Sequence, residues 1–494
     1  MLFNSFEFLL FFPVVAALFF ASPARFRQAI LLVASYYFYM CWKPEYVVLI
    51  VASTLIDYFA SRRMAALPDR PQRRKYLGLS LVSNLGLLFA FKYFNFFNES
   101  ARVVLNHFNI FYDVPAFDVL LPVGISFYTF QTLSYTIDVY RGELKHEKSL
   151  LTFALYVSFF PQLVAGPIER AVRLLPQFHQ PVTFDYERLV SGSRLMVWGF
   201  FKKVVVADRL AVYVDAIYNN PGDHSGLTIV AATYFFAFQI YCDFSGYSDI
   251  AIGTARILGF DLMTNFRRPY LATSISDFWR RWHISLSTWF RDYVYIPLGG
   301  NRVSTPRRYA NLLITFVVSG LWHGANWTFI VWGGLHGIYL AIAVLSGGLR
   351  ERIAVSLGVA DHKRLRWLWQ AVITFHLALI AWVFFRANSM GDAALIFERA
   401  SVGLGTHLHA LLTLDARLLY QDLVSAAGVT PFEFAASVAL IAFVWLREWA
   451  EERGWPHLEG RRGQVMRLAW NDALIIVTVL FGAYGQRQFI YFQF

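Results

Sequence analysis

The stretch Asn311–Leu345 reads NLLITFVVSGLWHGANWTFIVWGGLHGIYLAIAVL. Two apolar runs, Asn311–Leu321 and Asn326–Leu345, flank a turn in which His323 stands between Trp322 and Trp327. Such runs are membrane-spanning helices, which need roughly 20 predominantly apolar residues, or fewer where protein surrounds them. A proton-transferring side chain at the junction of two spans is costly to bury and marks a functional position.

Outward from this stretch, apolar blocks recur almost end to end. Before it come Phe6–Ala21, Ala29–Trp42, Tyr46–Ala60, Leu77–Phe97, Leu120–Val139, Ser191–Tyr213 and Leu227–Phe244. After it come Trp367–Phe385, Phe432–Trp445 and Trp470–Gln486. They predict an all-α polytopic membrane protein with about eleven or twelve spans, a single membrane domain over 1–494. The composition agrees, at 57% hydrophobic and 16% charged residues over 494 positions. Phe6–Ala21 resembles a signal peptide, but Arg25 and Arg27 follow the apolar run instead of preceding it, so it reads as the first span.

The net charge of +11 sits in short loops between apolar blocks. That is the positive-inside pattern, and it speaks against nucleic acid as the partner. Ser61–Lys75, the arginines at 25 and 27, the Arg350–Arg366 loop and the Arg461–Arg467 loop fall on one, cytoplasmic, side. Leu150–Ala165 ends in Gly166-Pro167-Ile168-Glu169-Arg170, which breaks a helix and predicts a re-entrant segment. Cys41 and Cys242 have no metal spacing and read as unpaired.

Ser276–Tyr293 tests well as one amphipathic helix. Phe278, Trp282, Leu286, Trp289 and Tyr293 share a face, while Arg280, His283, Ser287 and Arg291 form a stripe opposite. The arginines would cost about 2.5–3.5 kcal/mol each at the bilayer centre, so the stripe belongs at the cytoplasmic interface or in a polar cavity. A solvated His283 on an interfacial helix is the plain alternative. For His323 the alternative is a hydrogen bond between helices. Gly320 and Gly324 beside it allow close approach of a backbone or a substrate. Tyr241-Cys242-Asp243-Phe244-Ser245-Gly246-Tyr247-Ser248-Asp249 adds polar groups around a glycine that could end or kink a helix. Asp243 and Asp249 could orient a histidine or pair with Arg256, Arg267 or Arg268. Gln131–Asp138 reads as glue between helices or a cavity lining. No nucleophile elbow, phosphate loop, HExxH or dinucleotide fingerprint occurs, and no metal site is expected.

These segments resemble the membrane-bound O-acyltransferase superfamily, in its bacterial alginate O-acetyltransferase branch. The matching stretches are Tyr241–Asp249, Asp277–Gly300, Ser319–Trp327, Trp332–Gly337, Phe160–Glu169 and Phe489–Phe494. The core motifs lie at about 120–345, and the spans of 367–494 are like those of the polysaccharide-acetylating branch. The resemblance implies that His323 is the catalytic histidine and His283 a supporting one, with a cytoplasmic funnel leading to His323. It implies transfer of acetyl from a cytoplasmic thioester, acetyl-coenzyme A or an acyl carrier, with no bound cofactor. The expected setting is the bacterial inner membrane and its lipid. The expected partners are a periplasmic acetyltransferase and the machinery that makes and exports the polysaccharide. Expected substrate-binding residues are Arg267, Arg268, Arg280, Arg281, Trp282, Ser287, Arg291, Asp243, Tyr247, Asp249, Trp322 and Asn326. Peptidoglycan and cellulose are alternative acceptors, and a transporter or flippase is the competing class.

Overall fold

A computed structural model describes residues 1–494 except 69, 118–120, 165, 359, 455–459, 484–488 and 491–494, and omits the side chains of 408, 411, 460–464 and 467. Asp69, Leu120, Ala165, the end of the run at Gln486 and most of the terminal Phe489–Phe494 motif therefore lie outside the described residues. Every regular element among the described residues is helical.

Among the described residues, five helices are long and apolar enough to cross a membrane: Pro44–Ala65, Arg70–His107, Leu227–Ile257, Trp327–Leu345 and Lys363–Arg386. A sixth forms if Ala416–Ala427 and Pro431–Glu452, bent by 90°, make one span. Other expected spans are shorter helices, such as Phe6–Ala21 with 16 residues. Two expected spans carry a π-helical stretch, Leu77–Phe97 at Phe89–Tyr93 and Ser191–Tyr213 at Phe201–Ala207.

The chain divides into two compact units. The first, Met1–Met196 with Tyr247–Thr264, carries a polar network between helices. Asp57 accepts from Asn84 Nδ2 at 2.9 Å and from the Ser80 hydroxyl, and Asn84 Oδ1 accepts from Ser53 at 2.7 Å and Thr132 at 3.3 Å. Gln131 Nε2 donates to the Tyr156 carbonyl at 2.5 Å. The Gln131–Asp138 segment thus ties helices together, which satisfies polar groups that lipid could not. In the same unit Leu150–Ser158 breaks at Phe159 before a short turn at Phe160–Leu163. The Glu169 carboxylate that follows is fully buried and accepts the Met263 N–H.

The second unit, Val197–Gly246 with Asn265–Phe494, contains both histidines singled out above. Its centre is the hairpin of Thr305–His323 and Trp327–Leu345. A Cβ on Gly320 would lie 2.2 Å from the Phe329 carbonyl, and one on Gly333 would lie 2.1 Å from that of Phe316. Only glycine lets these backbones touch. Gly324 has the Phe329 ring 2.1 Å from where its Cβ would be. The close approach that the glycines permit is therefore to a backbone and a ring of this chain.

Candidate active site

His323 is the last residue of its helix and is 3% exposed. Asn326 starts the next helix as its N-cap, its Oδ1 accepting the Thr328 N–H at 3.1 Å. Its amide donates to the Asn388 carbonyl at 3.1 Å. Asn326 thus shapes the turn after His323 as a cap. Three rings surround the His323 imidazole edge-on: Trp322 at 4.9 Å, Trp332 at 4.9 Å and Phe385 at 5.4 Å.

His283 departs from the continuous helix predicted for Ser276–Tyr293. The chain forms two short helices, Ile275–Arg281 and Ile284–Phe290. Trp282 between them is extended, and His283 is left-handed with φ 41° and ψ 55°. The cause lies upstream. The Ile284 N–H donates to the Asn265 carbonyl at 2.9 Å, and the Arg281 carbonyl accepts the Arg267 N–H at 2.8 Å. These bonds draw two backbone groups out of the helical ladder. A left-handed non-glycine residue costs about 1–2 kcal/mol and clusters at functional sites.

The break turns His283 inward, fully buried, away from the exposed Arg280 and Arg291 that were to share its stripe. Its Nδ1 lies 3.2 Å from Asn265 Oδ1. That oxygen also accepts from the Ser285 hydroxyl at 2.9 Å and the Ser285 N–H at 3.3 Å. An oxygen accepting three donors fixes the tautomer: Nδ1 carries the proton and Nε2 the lone pair. Burial pushes this imidazole down to about 3, so it is neutral near pH 7. Phe244 at 4.5 Å, Phe266 at 6.2 Å and Trp322 at 6.2 Å enclose the ring. Trp322 therefore lies against both histidines.

Arg280, Ser287 and Arg291 do meet, around a cavity of about 410 Å³. Trp279, Phe316, Thr315 and Ser319, one helical turn before His323, also line it. Arg291 pairs with Asp292 at 2.7 Å and stays 59% exposed. Ser287 donates to the Trp282 carbonyl at 3.1 Å.

The other expected binding residues are placed as follows. Arg268 and Arg281 both grip Glu452, at 2.8 and 3.0 Å, and Arg281 also holds Asp277 at 3.1 Å. Two guanidinium groups tied to carboxylates are poor free counter-charges for a phosphate. Arg267 is exposed. Trp282 is fully buried in an aromatic wall against Trp382 at 4.9 Å and Phe278 at 5.6 Å. Asp243 pairs with Lys203 at 2.7 Å, not with an arginine, and Lys203 also holds Asp208 at 2.7 Å. Gly246 does not end the Leu227–Ile257 helix. Its missing side chain admits the Gly199 carbonyl, 2.8 Å from where a Cβ would be. Tyr247 and Asp249 belong to the first unit, where the Tyr247 hydroxyl donates to Asn4 at 2.8 Å.

Sequence reasoning missed Asn265, which lies 18 residues before its histidine with no motif signal. It also left His336 without a role. His336 is fully buried, its Nδ1 accepts the Trp279 indole N–H at 3.3 Å, and Trp332 at 5.1 Å separates it from His323. A histidine inside WGGLHG, one turn after Trp332, was the available signal.

Two buried histidines against one indole, one of them held neutral in one tautomer, give a helical membrane protein groups that can accept a proton or a hydroxyl's hydrogen bond. Residues 141–387 match the model of the membrane-bound O-acyltransferase family, and the chain belongs to that family. It is a multi-pass membrane acyltransferase. It is 43% identical over 396 residues to "Probable alginate O-acetylase AlgI" of Azotobacter vinelandii, covering 80% of this chain and 76% of the relative. It is 36% identical to the peptidoglycan O-acetyltransferase of Helicobacter pylori, covering 78% and 75%. The teichoic acid D-alanyltransferase of Streptococcus thermophilus matches at 32% over 44% of this chain and 56% of its own length.

Proposed function

We propose that this enzyme carries acetyl from a cytoplasmic thioester, acetyl-coenzyme A or an acetylated carrier, toward an exported polysaccharide such as alginate. The observation that carries the reading is the pair of buried histidines against one indole, in a family of O-acyltransferases with alginate-acetylating relatives. The acceptor hydroxyl gives its proton to His323 while its oxygen attacks the thioester carbonyl. The carbon–sulfur bond then breaks, and the thiolate takes the proton back from the imidazolium. The overall proton count is unchanged.

His283 could orient the acceptor or stabilise the oxyanion, and its tautomer favours the first. Nε2 offers a lone pair, which accepts a hydrogen bond from a hydroxyl, whereas an oxyanion needs a donor. The cavity bounded by Arg280, Ser287 and Arg291 suits the thioester arm, with Arg280 toward the donor's phosphates. The setting is the bacterial inner membrane. A periplasmic acetyltransferase partner would receive the acetyl group, because acetyl-coenzyme A is too polar to cross.

Radiolabel transfer from acetyl-coenzyme A by purified protein, with and without His323→Ala, tests the reading. Transfer by the variant at the wild-type rate would overturn it. Sealed vesicles with donor inside and polymer outside test the partner, since acetylation of polymer by this chain alone would remove the need for one.

A further inference from the structure

Phe489 and Ile490 are 0% and 3% exposed, although they lie far along the chain from the histidine motifs. The Ile490 N–H donates to Asp243 Oδ2 at 2.8 Å. The other oxygen of that carboxylate is held by Lys203 at 2.7 Å, and Lys203 is itself 1% exposed and shared with Asp208. Buried charges are tolerated only when paired and hydrogen-bonded, so the ion triad fixes Asp243 rigidly. Asp243 thus offers a firm anchor for the 489–490 backbone.

The anchor matters because of the next residue on each side. Phe489 packs against Phe244 with ring centroids 5.4 Å apart, and Phe244 stands at 90° to the His283 ring, 4.5 Å away. Phe266 closes the group, 5.0 Å from Phe244 and 6.2 Å from His283. Asn265 Oδ1 at 3.2 Å and the Ser285 hydroxyl at 3.4 Å hold one edge of the imidazole at Nδ1. Ring packing sets the plane of the ring about that edge, and interiors this dense pass on displacements of a fraction of an ångström.

We propose that Phe489, anchored through Ile490 to Asp243, is a positioning residue for His283. It sets the imidazole angle by backing Phe244 and touches no substrate itself. The inference rests on the assignment of His283 to the reaction, and its test separates the two.

Phe489→Ala should lower kcat about 10-fold, because small misplacements of a reacting group are expensive, with the donor KM within about twofold of wild type. Phe489→Leu, which refills most of the space, should recover most of the loss. It also carries the test if the alanine variant fails to insert. The deciding measurement is the same substitution in a His283→Gln background. If Phe489 works through His283, adding Phe489→Ala there should change kcat by less than about twofold. An equal loss in both backgrounds would overturn the proposal, as would wild-type kcat for Phe489→Ala. Full activity of His283→Gln alone would instead sink the role of His283 and leave the packing observation standing.

Discussion

Replacing Asn265 by alanine removes the acceptor that fixes the His283 tautomer. Asn265 Oδ1 accepts three donors: His283 Nδ1, the Ser285 N–H and the Ser285 hydroxyl. The Ser285 hydroxyl, 3.4 Å from His283 Nδ1, can then donate to that nitrogen or accept from it, which leaves the tautomer open, while the Ser285 N–H stays buried without this acceptor. An unsatisfied donor costs about 1–3 kcal/mol, so folding should lose about that much. The backbone bond from Ile284 to the Asn265 carbonyl survives the substitution, so the break in the helix persists. The rate should fall because Nδ1–H is no longer preferred and the ring rotates. Groups that orient a histidine through its other nitrogen are typically worth about 10–100-fold. Activity of the folded variant should drop by that factor in kcat, with the donor KM little changed. Asn265→Asp sharpens the test. A carboxylate keeps the acceptor but favours imidazolium, raising the His283 pKa from about 3. Wild-type activity should show no titration of His283 between about pH 5 and 8. The aspartate variant should lose activity as pH falls through its raised pKa and recover above it. Steady-state labelled-acetyl transfer in detergent or nanodiscs, from pH 5 to 9, reads all of this. If Asn265→Ala keeps wild-type kcat, or Asn265→Asp shows an unshifted acid limb, the tautomer argument fails.

His323→Ala should abolish transfer, and His323→Gln should cost about 10²–10⁴-fold as expected for a lost general base; equal thermal stability by light scattering would confirm intact folding. Gly333→Leu should prevent accumulation of folded protein, since a Cβ there meets the Phe316 carbonyl at 2.1 Å, whereas Gly334→Ala meets only Val317 at 3.9 Å and should fold normally by size-exclusion profile. Arg280→Ala should raise the donor KM and weaken its salt dependence, while Arg281→Ala, which breaks the Glu452 and Asp277 pairs, should lower thermal stability more than it changes KM. Because His283 titrates near 6.5 unfolded and about 3 folded, its contribution to stability is complete above about pH 6.5 and is lost as pH falls toward 3; His283→Gln should flatten that part of the thermal-unfolding profile.

The membrane helices and the buried place of His323 at a helix junction were legible because their signals are local. Apolar length, glycines three or four residues apart and an isolated histidine can all be read from one window. The break at Trp282–His283 was not. Phe278, Trp282 and Leu286 keep helical spacing straight through it, so periodicity alone argues for continuity. The breaking groups, the Asn265 carbonyl and the Arg267 N–H, come from a loop 15 or more residues upstream and carry no pattern. Lys202 and Lys203 were hidden in the same way. They stand inside the apolar run Ser191–Tyr213 with no local signal of a partner, yet they are buried, with Lys202 donating to Ser245 at 2.8 Å and Lys203 held by two carboxylates. Burial with a distant partner is the property that one-dimensional reading cannot reach.

The place where local preference loses is informative about the reaction. A continuous helix over Ser276–Tyr293 would leave all its backbone bonds intact and avoid the left-handed residue, a gain of about 1–2 kcal/mol at His283 alone. It would also put His283 on the arginine face, in water, where its pKa would stay near 6.5 and its ring would rotate freely. The observed break gives up that local stability and obtains a dry, neutral imidazole with a defined lone pair. Arg280 and Arg291 remain exposed at the neighbouring cavity. Conflicts between propensity and fold persist where a site requires them. Here the conflict keeps apart two environments that one helical stripe would have merged: exposed arginines lining a cavity, and a neutral imidazole in the aromatic interior.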